Sequence, residues 1–234
     1  MPNYAGFDTD IFPCMEQMAW LKAHTNFSWC GYYLAPAPSH PDPSWMGQRQ
    51  ALLTQGWGLA PLFVGQQTTG SGSHDATRPK QGNTDGTLAA QLARNEGFPQ
   101  QSCIFLDWED DSSLSAGVQD YIGSWAQTVA DSGYQPGIYC SHALAPDIAA
   151  LIGRLCPAPA LRIWAWRVAT VAKHPYEGSI ESFPCSDPAC CGYTAAVAWQ
   201  CEQNCQLSLP GAPMTSLQVD LSCSTMADPG ATQQ

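Results

Sequence analysis

The sequence is poor in charged residues, and above all in basic ones. Only 12% of its 234 residues are charged, and nine Lys and Arg stand against twenty Asp and Glu, giving a net charge of −11. Nucleic-acid binding depends on clustered basic side chains, so this composition argues against a nucleic-acid partner. No apolar run approaches the about 20 residues needed to span a bilayer. We therefore expect neither nucleic-acid binding nor membrane insertion.

The chain also lacks a recognisable leader, a long linker and internal repeats. Residues 1–4 carry no basic segment followed by an apolar one, so we expect no signal peptide in this chain. Export would then involve a mature form or another route. With 44% hydrophobic residues, the chain can bury one sizeable core. We predict a single barrel domain over residues 1–225, followed by a flexible tail over 226–234.

Cysteine is abundant, but its spacing is not that of a common zinc motif. Eleven cysteines occur, five of them between Cys185 and Cys205. No Cys-x-x-Cys pair is present and no histidine follows His174, which disfavours zinc, so we expect no metal and no other cofactor. A disulfide-stapled insert in an oxidising compartment is favoured, with reduced buried thiols as the alternative. The odd count leaves at least one cysteine without an intrachain partner.

Short apolar segments alternate with amphipathic ones along the chain. The segments that favour strands are Tyr4–Asp8, Trp29–Leu34, Leu59–Gln66, Cys103–Glu109, Gly137–Ser141, Arg162–Arg167, Ala195–Gln200 and Leu217–Leu221. Those that favour helices are Met15–His24, Trp45–Gln55, Gly86–Glu96, Ser115–Ser132 and Leu144–Leu155.

This alternation predicts an α/β fold, a (β/α)8 TIM-type barrel. An open doubly wound sheet is the alternative, but the Gly-rich loop typical of that fold is absent after the first strand. The last third should be irregular, with loops and disulfides in place of helices. Five prolines there disfavour long helices, namely Pro157, Pro159, Pro175, Pro184 and Pro188.

Acidic residues follow several of the predicted strands. Asp107 and Glu109 follow the apolar run 104–106, and their i, i+2 spacing predicts that they share one face, with Trp108 opposite. Asp8 ends the first predicted strand and Asp220 lies at the end of the eighth. Active sites of such barrels lie at the carboxyl ends of the strands, so we expect these acids on one rim.

Crowded carboxyls favour acid–base chemistry. Like charges in one pocket raise at least one pKa, and that group can act as a general acid, as glycosidic cleavage requires. We assign proton donation to Glu109, and stabilisation or water positioning to Asp107 and Asp8. The sequence does not distinguish a retaining from an inverting mechanism of glycosidic cleavage. A carboxylate metal site formed by the four acids, and a hydrolase using His142 with Cys140, are alternatives.

Aromatic and amide side chains near the strand ends are candidate sugar contacts, because aromatic rings pack against the apolar faces of sugars. Ordinary core packing is the alternative for the aromatic residues. The predicted substrate-binding residues are Asp10, Tyr33, Gln66, Tyr139, Trp164, Trp166, Trp199 and Gln200.

A series of motifs adds a family resemblance that extends from about Tyr4 to Ser222. In order along the chain they are Gly6-Phe7-Asp8-Thr9-Asp10, Leu62-Phe63-Val64-Gly65-Gln66, Phe105-Leu106-Asp107-Trp108-Glu109, Tyr134-Gln135-Pro136-Gly137-Ile138-Tyr139, Ile163-Trp164-Ala165-Trp166, Ala198-Trp199-Gln200 and Val219-Asp220. The chain resembles the DUF1906, or Rv2525c-like, glycoside hydrolase-like domain. It is also similar, more distantly, to the family 25 glycoside hydrolases, which are lysozymes (muramidases).

The resemblance implies a modified barrel and cleavage of the β-1,4 bond between N-acetylmuramic acid and N-acetylglucosamine in peptidoglycan. It also implies that Glu109 is the acid, Asp107 its neighbouring carboxylate, and Asp8 and Asp220 the acids of the first and last strands. The Cys-rich segment from Cys185 to Cys205 departs from the lysozyme pattern.

We therefore expect a monomeric muramidase that binds peptidoglycan glycan strands outside the cytoplasm, secreted or delivered to the periplasm. The missing signal peptide and the many cysteines favour an antibacterial effector, with a cognate immunity protein, or an endolysin. The alternative is a catalytically silent carbohydrate- or cell-wall-binding module on the same barrel. The Asp107/Glu109 pair speaks against that alternative, because a binding module gains little from its repulsion.

Overall fold

The computed structural model describes residues 3–70, 72–74, 79–156, 161–168 and 172–232. In this part of the chain the strands are β1 (Tyr4–Asp8), β2 (Phe27–Tyr33), β3 (Gly58–Val64), β4 (Cys103–Asp107), β5 (Gln135–Ser141), β6 (Arg162–Trp166), β7 (His174–Pro175), β8 (Ala198–Ser208) and β9 (Ser216–Ser224). The helices are α1 (Met15–His24), α2 (Arg49–Thr54), α3 (Pro79–Asn95), α4 (Ala116–Asp131) and α5 (Ala145–Leu155). None of them is long and apolar enough to cross a bilayer.

Eight strands close into a barrel in the order β1-β2-β3-β4-β5-β6-β8-β9, with β9 returning to β1. Strands β1 to β6 are parallel, and β8 joins β6 in parallel. The two-residue strand β7 pairs with the far half of β8, outside the closed ring. The predicted α/β barrel is confirmed.

The final strand departs from a regular (β/α)8 barrel. β9 runs antiparallel to both β8 and β1, because a short hairpin over residues 209–215 connects β8 directly to β9. A hairpin reverses the chain, whereas a parallel strand needs a long crossover. The prediction that Asp220 ends a strand is therefore wrong. Asp220 lies in the middle of β9, directly opposite Asp8.

Two helices differ from their predicted bounds. α2 begins at Arg49 rather than at residue 45, because a turn with Gly47 at a φ of +81° precedes it. α3 begins at Pro79 rather than at residue 86. Its glycines allow close packing on α4, since a Cβ added at Gly82 would lie 2.4 Å from the Tyr121 carbonyl oxygen. Tertiary packing here overrides a weak local helix propensity.

The Cys-rich segment is irregular, as predicted, but it is not stapled internally. One disulfide joins Cys185 to Cys223 and so links the segment to β9. The segment's other four cysteines, at positions 190, 191, 201 and 205, are free thiols. Cys201 and Cys205 belong to β8, whose strand extends eight residues beyond the predicted end at Gln200. The prolines at 157 and 159 lie outside the described residues.

Residues 226–232, the described part of the predicted tail, pack across the amino-terminal end of the barrel. The buried Arg162 guanidinium donates to the carbonyls of Pro229 and Ala231 at 2.6 and 2.7 Å. The Asp228 carboxylate accepts from the Leu59 amide at 3.1 Å. These partners lie far away in sequence, so no local pattern indicated the contacts.

Aromatic side chains fill the barrel. Trp164 lies at the centre, with edge-to-face contacts to Trp29, Phe105 and Tyr139 at centroid distances of 5.1, 5.9 and 5.3 Å. Gly6 is required beside them, since a Cβ there would lie 2.2 Å from the Trp29 ring. This packed interior fills the barrel beneath the acids.

Candidate active site

The structure brings the four predicted acids together at the carboxyl end of the barrel. Asp8 ends β1, Asp107 ends β4, Glu109 follows two residues later, and Asp220 projects from the middle of β9. All four line one small inner cavity. Because β4 already ends at Asp107, strand alternation alone does not place Glu109 there.

Asp8 is buried, with 7% of its surface exposed. One carboxylate oxygen accepts from the Tyr33 hydroxyl at 3.0 Å, and the other has no hydrogen-bond partner among the described residues. Burial raises the pKa of Asp8 well above its ordinary value, and the charge of Asp220 raises it further. The Tyr33 hydrogen bond opposes both effects, because it stabilises the ionised form.

Asp107 is equally buried, and its Oδ1 lacks a hydrogen-bond partner in the described part of the chain. Burial raises its pKa well above the ordinary value, followed by the charges of Glu109, Asp8 and Asp220. Two buried carboxyls with raised pKa values cannot both be ionised cheaply. The inner cavity therefore disfavours simultaneous ionisation of Asp8 and Asp107.

Glu109 is exposed at the mouth of the barrel, where it borders the inner cavity and all three wider spaces around it, of about 430, 350 and 310 Å³. Partial loss of solvation raises its pKa. Among the four acids, it alone borders every one of these spaces. A chain bound along the cleft would therefore pass its carboxyl.

Asp220 is held by β8. Its carboxylate accepts from the Asn204 amide at 2.6 Å and from Gln200 Nε2 at 3.1 Å. Burial raises the pKa of Asp220 to about 6, although the Asn204 hydrogen bond lowers it. Gln200, predicted as a substrate contact, is 1% exposed and supports this acid from below.

Gln67, which the sequence interpretation missed, holds the acidic segment by its backbone. Its Nε2 donates to the Asp107 carbonyl at 2.8 Å, and its Oε1 accepts from the Glu109 amide at 3.2 Å. The predicted Gln66 points the other way, is buried, and donates to Asp85 at 3.2 Å. Gln66, predicted as a substrate contact, therefore does not border the four spaces of the cleft, and β3 ends at Val64, two residues before it.

Three of the predicted aromatic contacts line the cleft, and two do not face it as expected. Tyr33, Tyr139 and Trp166 border the cavities. Trp164 is fully buried beneath the acids, where its Nε1 donates to Ser222, so it forms a floor rather than a stacking surface. Trp199 alternates away from the buried Gln200, and its Nε1 donates to a backbone carbonyl in the loop after β6.

The outer wall of the cleft contains the predicted Asp10 and several other polar residues. Asp10 borders two of the wider spaces, as expected for a rim residue. Three further polar residues that were not predicted border the wider spaces, namely Gln203, Asn204 and Gln218. They come from irregular β8 and from the antiparallel β9, which no local pattern in the sequence indicated.

Neither alternative chemistry gains support from the geometry. Within the described residues, no three of the rim carboxylates bring an oxygen each within 4.8 Å of one another, as one metal ion would require. Burial strongly raises the pKa of the Cys140 thiol, the opposite of an activated nucleophile.

Comparison with known proteins places this barrel in a family. The profile of the Rv2525c-like, glycoside hydrolase-like domain matches residues 19–184, well over half of the chain. The chain therefore belongs to the family of Rv2525c-like, glycoside hydrolase-like domains. No curated protein sequence matches it.

Solved structures share the fold at low sequence identity. The Tat-secreted protein Rv2525c of Mycobacterium tuberculosis has a TM-score of 0.56 and 12% identity, with 97% of this chain and 96% of that one covered. A family 25 glycosyl hydrolase from Bacillus anthracis gives 0.54 and 12%, covering 95% and 89%. A lysozyme from Streptomyces coelicolor gives 0.53 and 14%, covering 97% and 94%.

Proposed function

We propose that this protein is a peptidoglycan-acting muramidase that cleaves the β-1,4 bond between N-acetylmuramic acid and N-acetylglucosamine. The observation that carries the proposal is the position of Glu109, an acid of raised pKa that borders every part of the cleft. Membership of a glycoside hydrolase-like family, and a fold shared with a lysozyme, support the same class of reaction.

In this proposal Glu109 donates its proton to the leaving glycosidic oxygen, because it is the acid that a bound glycan can reach. Asp107 and Asp8, beneath it, supply the negative charge that stabilises an oxocarbenium-like centre or positions water. The charge of Asp220 raises the pKa values of both acids, so the neighbouring carboxyls are not all ionised together. Tyr33, Tyr139 and Trp166 offer aromatic surface to the sugar rings.

The protein would act outside the cytoplasm, either secreted or delivered to the periplasm. The Cys185–Cys223 disulfide supports an oxidising compartment, where such bonds persist. We propose that it acts either as an antibacterial effector with an immunity partner or as an endolysin.

The deciding experiment incubates purified peptidoglycan with the wild type and with Glu109→Gln, and identifies released fragments by mass spectrometry. Glu181→Gln, which changes an exposed acid far from the cleft in sequence, is the matched control. We expect muropeptides with new reducing ends at muramic acid from the wild type and the control, and at least about a hundredfold less from Glu109→Gln.

Other outcomes would overturn the proposal in specific ways. Anhydro ends would indicate lytic transglycosylation instead of hydrolysis. Reducing ends at glucosamine would identify a different bond. Absence of fragments from every variant, with retained binding to peptidoglycan, would favour the cell-wall-binding module.

A further inference from the structure

A second cluster of reactive side chains lies on the far half of β8, apart from the four rim acids. His174 Nε2 lies 3.6 Å from the Glu202 carboxylate and 3.7 Å from Cys205 Sγ. The three potential ligand atoms all lie within 4.8 Å of one another. We propose that His174, Glu202 and Cys205 form a binding site for one Zn²⁺ ion.

Two of the three separations between the ligand atoms lie close to those around a tetrahedral zinc, and the third, between Glu202 and Cys205, is at most 4.8 Å. With zinc–ligand bonds of about 2.0–2.3 Å, neighbouring ligand atoms lie about 3.4–3.6 Å apart. The two measured separations, 3.6 and 3.7 Å, differ from this spacing by a few tenths of an ångström or less. Rotation of the partly exposed Glu202 side chain would bring its carboxylate closer to Cys205 and complete the coordination.

The histidine ring is already oriented as a ligand. Its Nδ1 lies 3.1 Å from the Pro175 carbonyl oxygen, which can only accept, so this contact favours the tautomer with its hydrogen on Nδ1. The Nε2 lone pair then faces Cys205 and Glu202. A backbone carbonyl that fixes the second nitrogen in this way is the usual support of a zinc-bound histidine.

The surroundings fit a metal with one open position. Cys205 is fully buried, whereas His174 and Glu202 are 27% and 33% exposed, so water can reach the fourth position. Cys201 lies nearby but donates to the Leu221 carbonyl at 3.4 Å. Thiolate, imidazole and carboxylate together are a donor set that suits zinc.

The cluster does not form a short sequence motif, because His174 precedes Cys205 by 31 residues. The pairing of β7 with β8 sets the two residues directly opposite each other. Between Glu202 and Cys205, β8 is irregular, and there the Asn204 amide donates to Asp220. A metal across this segment would fix one wall of the cleft, whether or not the cleft cleaves glycans.

The test uses the full chain, reduced and stripped of metal with a chelator, and titrated with Co²⁺ as a spectroscopic probe. We expect a thiolate-to-cobalt charge-transfer band that saturates at one equivalent. Zn²⁺ should abolish the band, and competition with a chromophoric chelator would give the zinc affinity. Cys205→Ser should remove the band.

His174→Ala and Glu202→Gln test the other two ligands. Loss of an outer-shell partner weakens metal binding by about 10–100-fold. Loss of a direct ligand should cost at least as much in each of these variants. His24→Ala is the matched control, because its Nδ1 also faces a backbone carbonyl, that of Trp20, at 2.8 Å. Cys190→Ser, the loss of an exposed free cysteine, is the thiol control.

Circular dichroism establishes that each variant is folded; if Cys205→Ser is not, the other two ligand variants decide. Three results would overturn the proposal. They are the absence of a cobalt band in the wild type, zinc affinity unchanged in His174→Ala and Glu202→Gln, and a Cys201–Cys205 disulfide in the unreduced protein by mass spectrometry. Loss of glycan cleavage would not bear on it, since the readout is metal binding.

Discussion

Asp8 and Asp220 lie directly opposite each other on the antiparallel strands β1 and β9. Like charges in such a cross-strand pair are destabilising, and here they raise the pKa of Asp8 as well. The fold therefore concentrates negative charge where its own stability suffers. Protonation or neutral replacement of Asp8 would relieve this repulsion.

Asp8→Asn should stabilise the protein at pH 7. Folding raises the pKa of Asp8, so the folded state holds this proton more tightly than the unfolded chain does. The resulting stabilisation is complete at pH values below the pKa of the unfolded chain. It is lost as the pH rises through the pKa of the folded state. Each unit of such a shift is worth about 1.4 kcal/mol, so we expect a gain of about 1–3 kcal/mol at pH 7. Urea unfolding from pH 3.5 to 7 measures it.

The difference between Asp8→Asn and the wild type should shrink as the pH falls towards 3.5, where Asp8 is mostly protonated in both states. Asp120→Asn, a substitution at an exposed acid on α4, is the control and should show no such pH dependence. A gain that stays constant across the whole range would show that repulsion is not its cause.

Tyr33→Phe should shift the acid limb of the pH–rate profile to higher pH. The Tyr33 hydroxyl lowers the pKa of Asp8, and a hydrogen bond to a charged group is worth about 1.5–3 kcal/mol. Without it, Asp8 stays protonated to higher pH. Rates of glycan cleavage between pH 3.5 and 8 measure the shift.

Tyr139→Phe removes another hydroxyl from the cleft, one that does not bond Asp8, and should leave the position of the acid limb unchanged. If both variants shift the limb equally, the specific role of the Tyr33–Asp8 hydrogen bond is wrong.

Gln67→Met should lower kcat more than it changes KM. Methionine keeps the length of the side chain but loses both hydrogen bonds to the backbone of Asp107 and Glu109. Because small displacements of an acid from its reacting atom are costly, we expect kcat to fall by about 10–100-fold. Steady-state kinetics on soluble glycan fragments provide the measurement.

Gln50→Met, at an exposed position on α2, controls for the substitution itself and should have wild-type kinetics. Gln67→Met with an unchanged kcat would contradict the positioning role. A matched fall in thermal stability would point to general unfolding instead.

Arg162→Ala should destabilise the barrel from the end opposite the cleft. It leaves the carbonyls of Pro229 and Ala231 without their donor, and each unsatisfied buried group costs about 1–3 kcal/mol. We expect the free energy of unfolding to fall by about 2–4 kcal/mol, as measured by urea denaturation.

Arg154→Ala, an exposed substitution on α5, should have little effect by comparison. Removal of residues 226–234 should destabilise the protein as well, because the Leu59 amide loses its acceptor Asp228. A truncated protein as stable as the full chain would show that the packed segment contributes nothing.

Much of the site was predictable because its signals are local. Asp8 and Asp107 each end a buried apolar strand, and alternating strands and helices predict a barrel that gathers such ends on one rim. The acids, the barrel and the family resemblance all follow from residues that are close in sequence.

Contacts between distant segments were decided only by tertiary structure. The hairpin that reverses β9 brings Asp220 to Asp8 from mid-strand, and Gln67 reaches the Asp107 backbone across 40 residues. No short pattern encodes these pairings, because they depend on which strands become neighbours when the barrel closes. The sequence alone determined which acidic residues are available for the site. Closure of the barrel decided which residues hydrogen-bond to these acids and which side chains face the cleft.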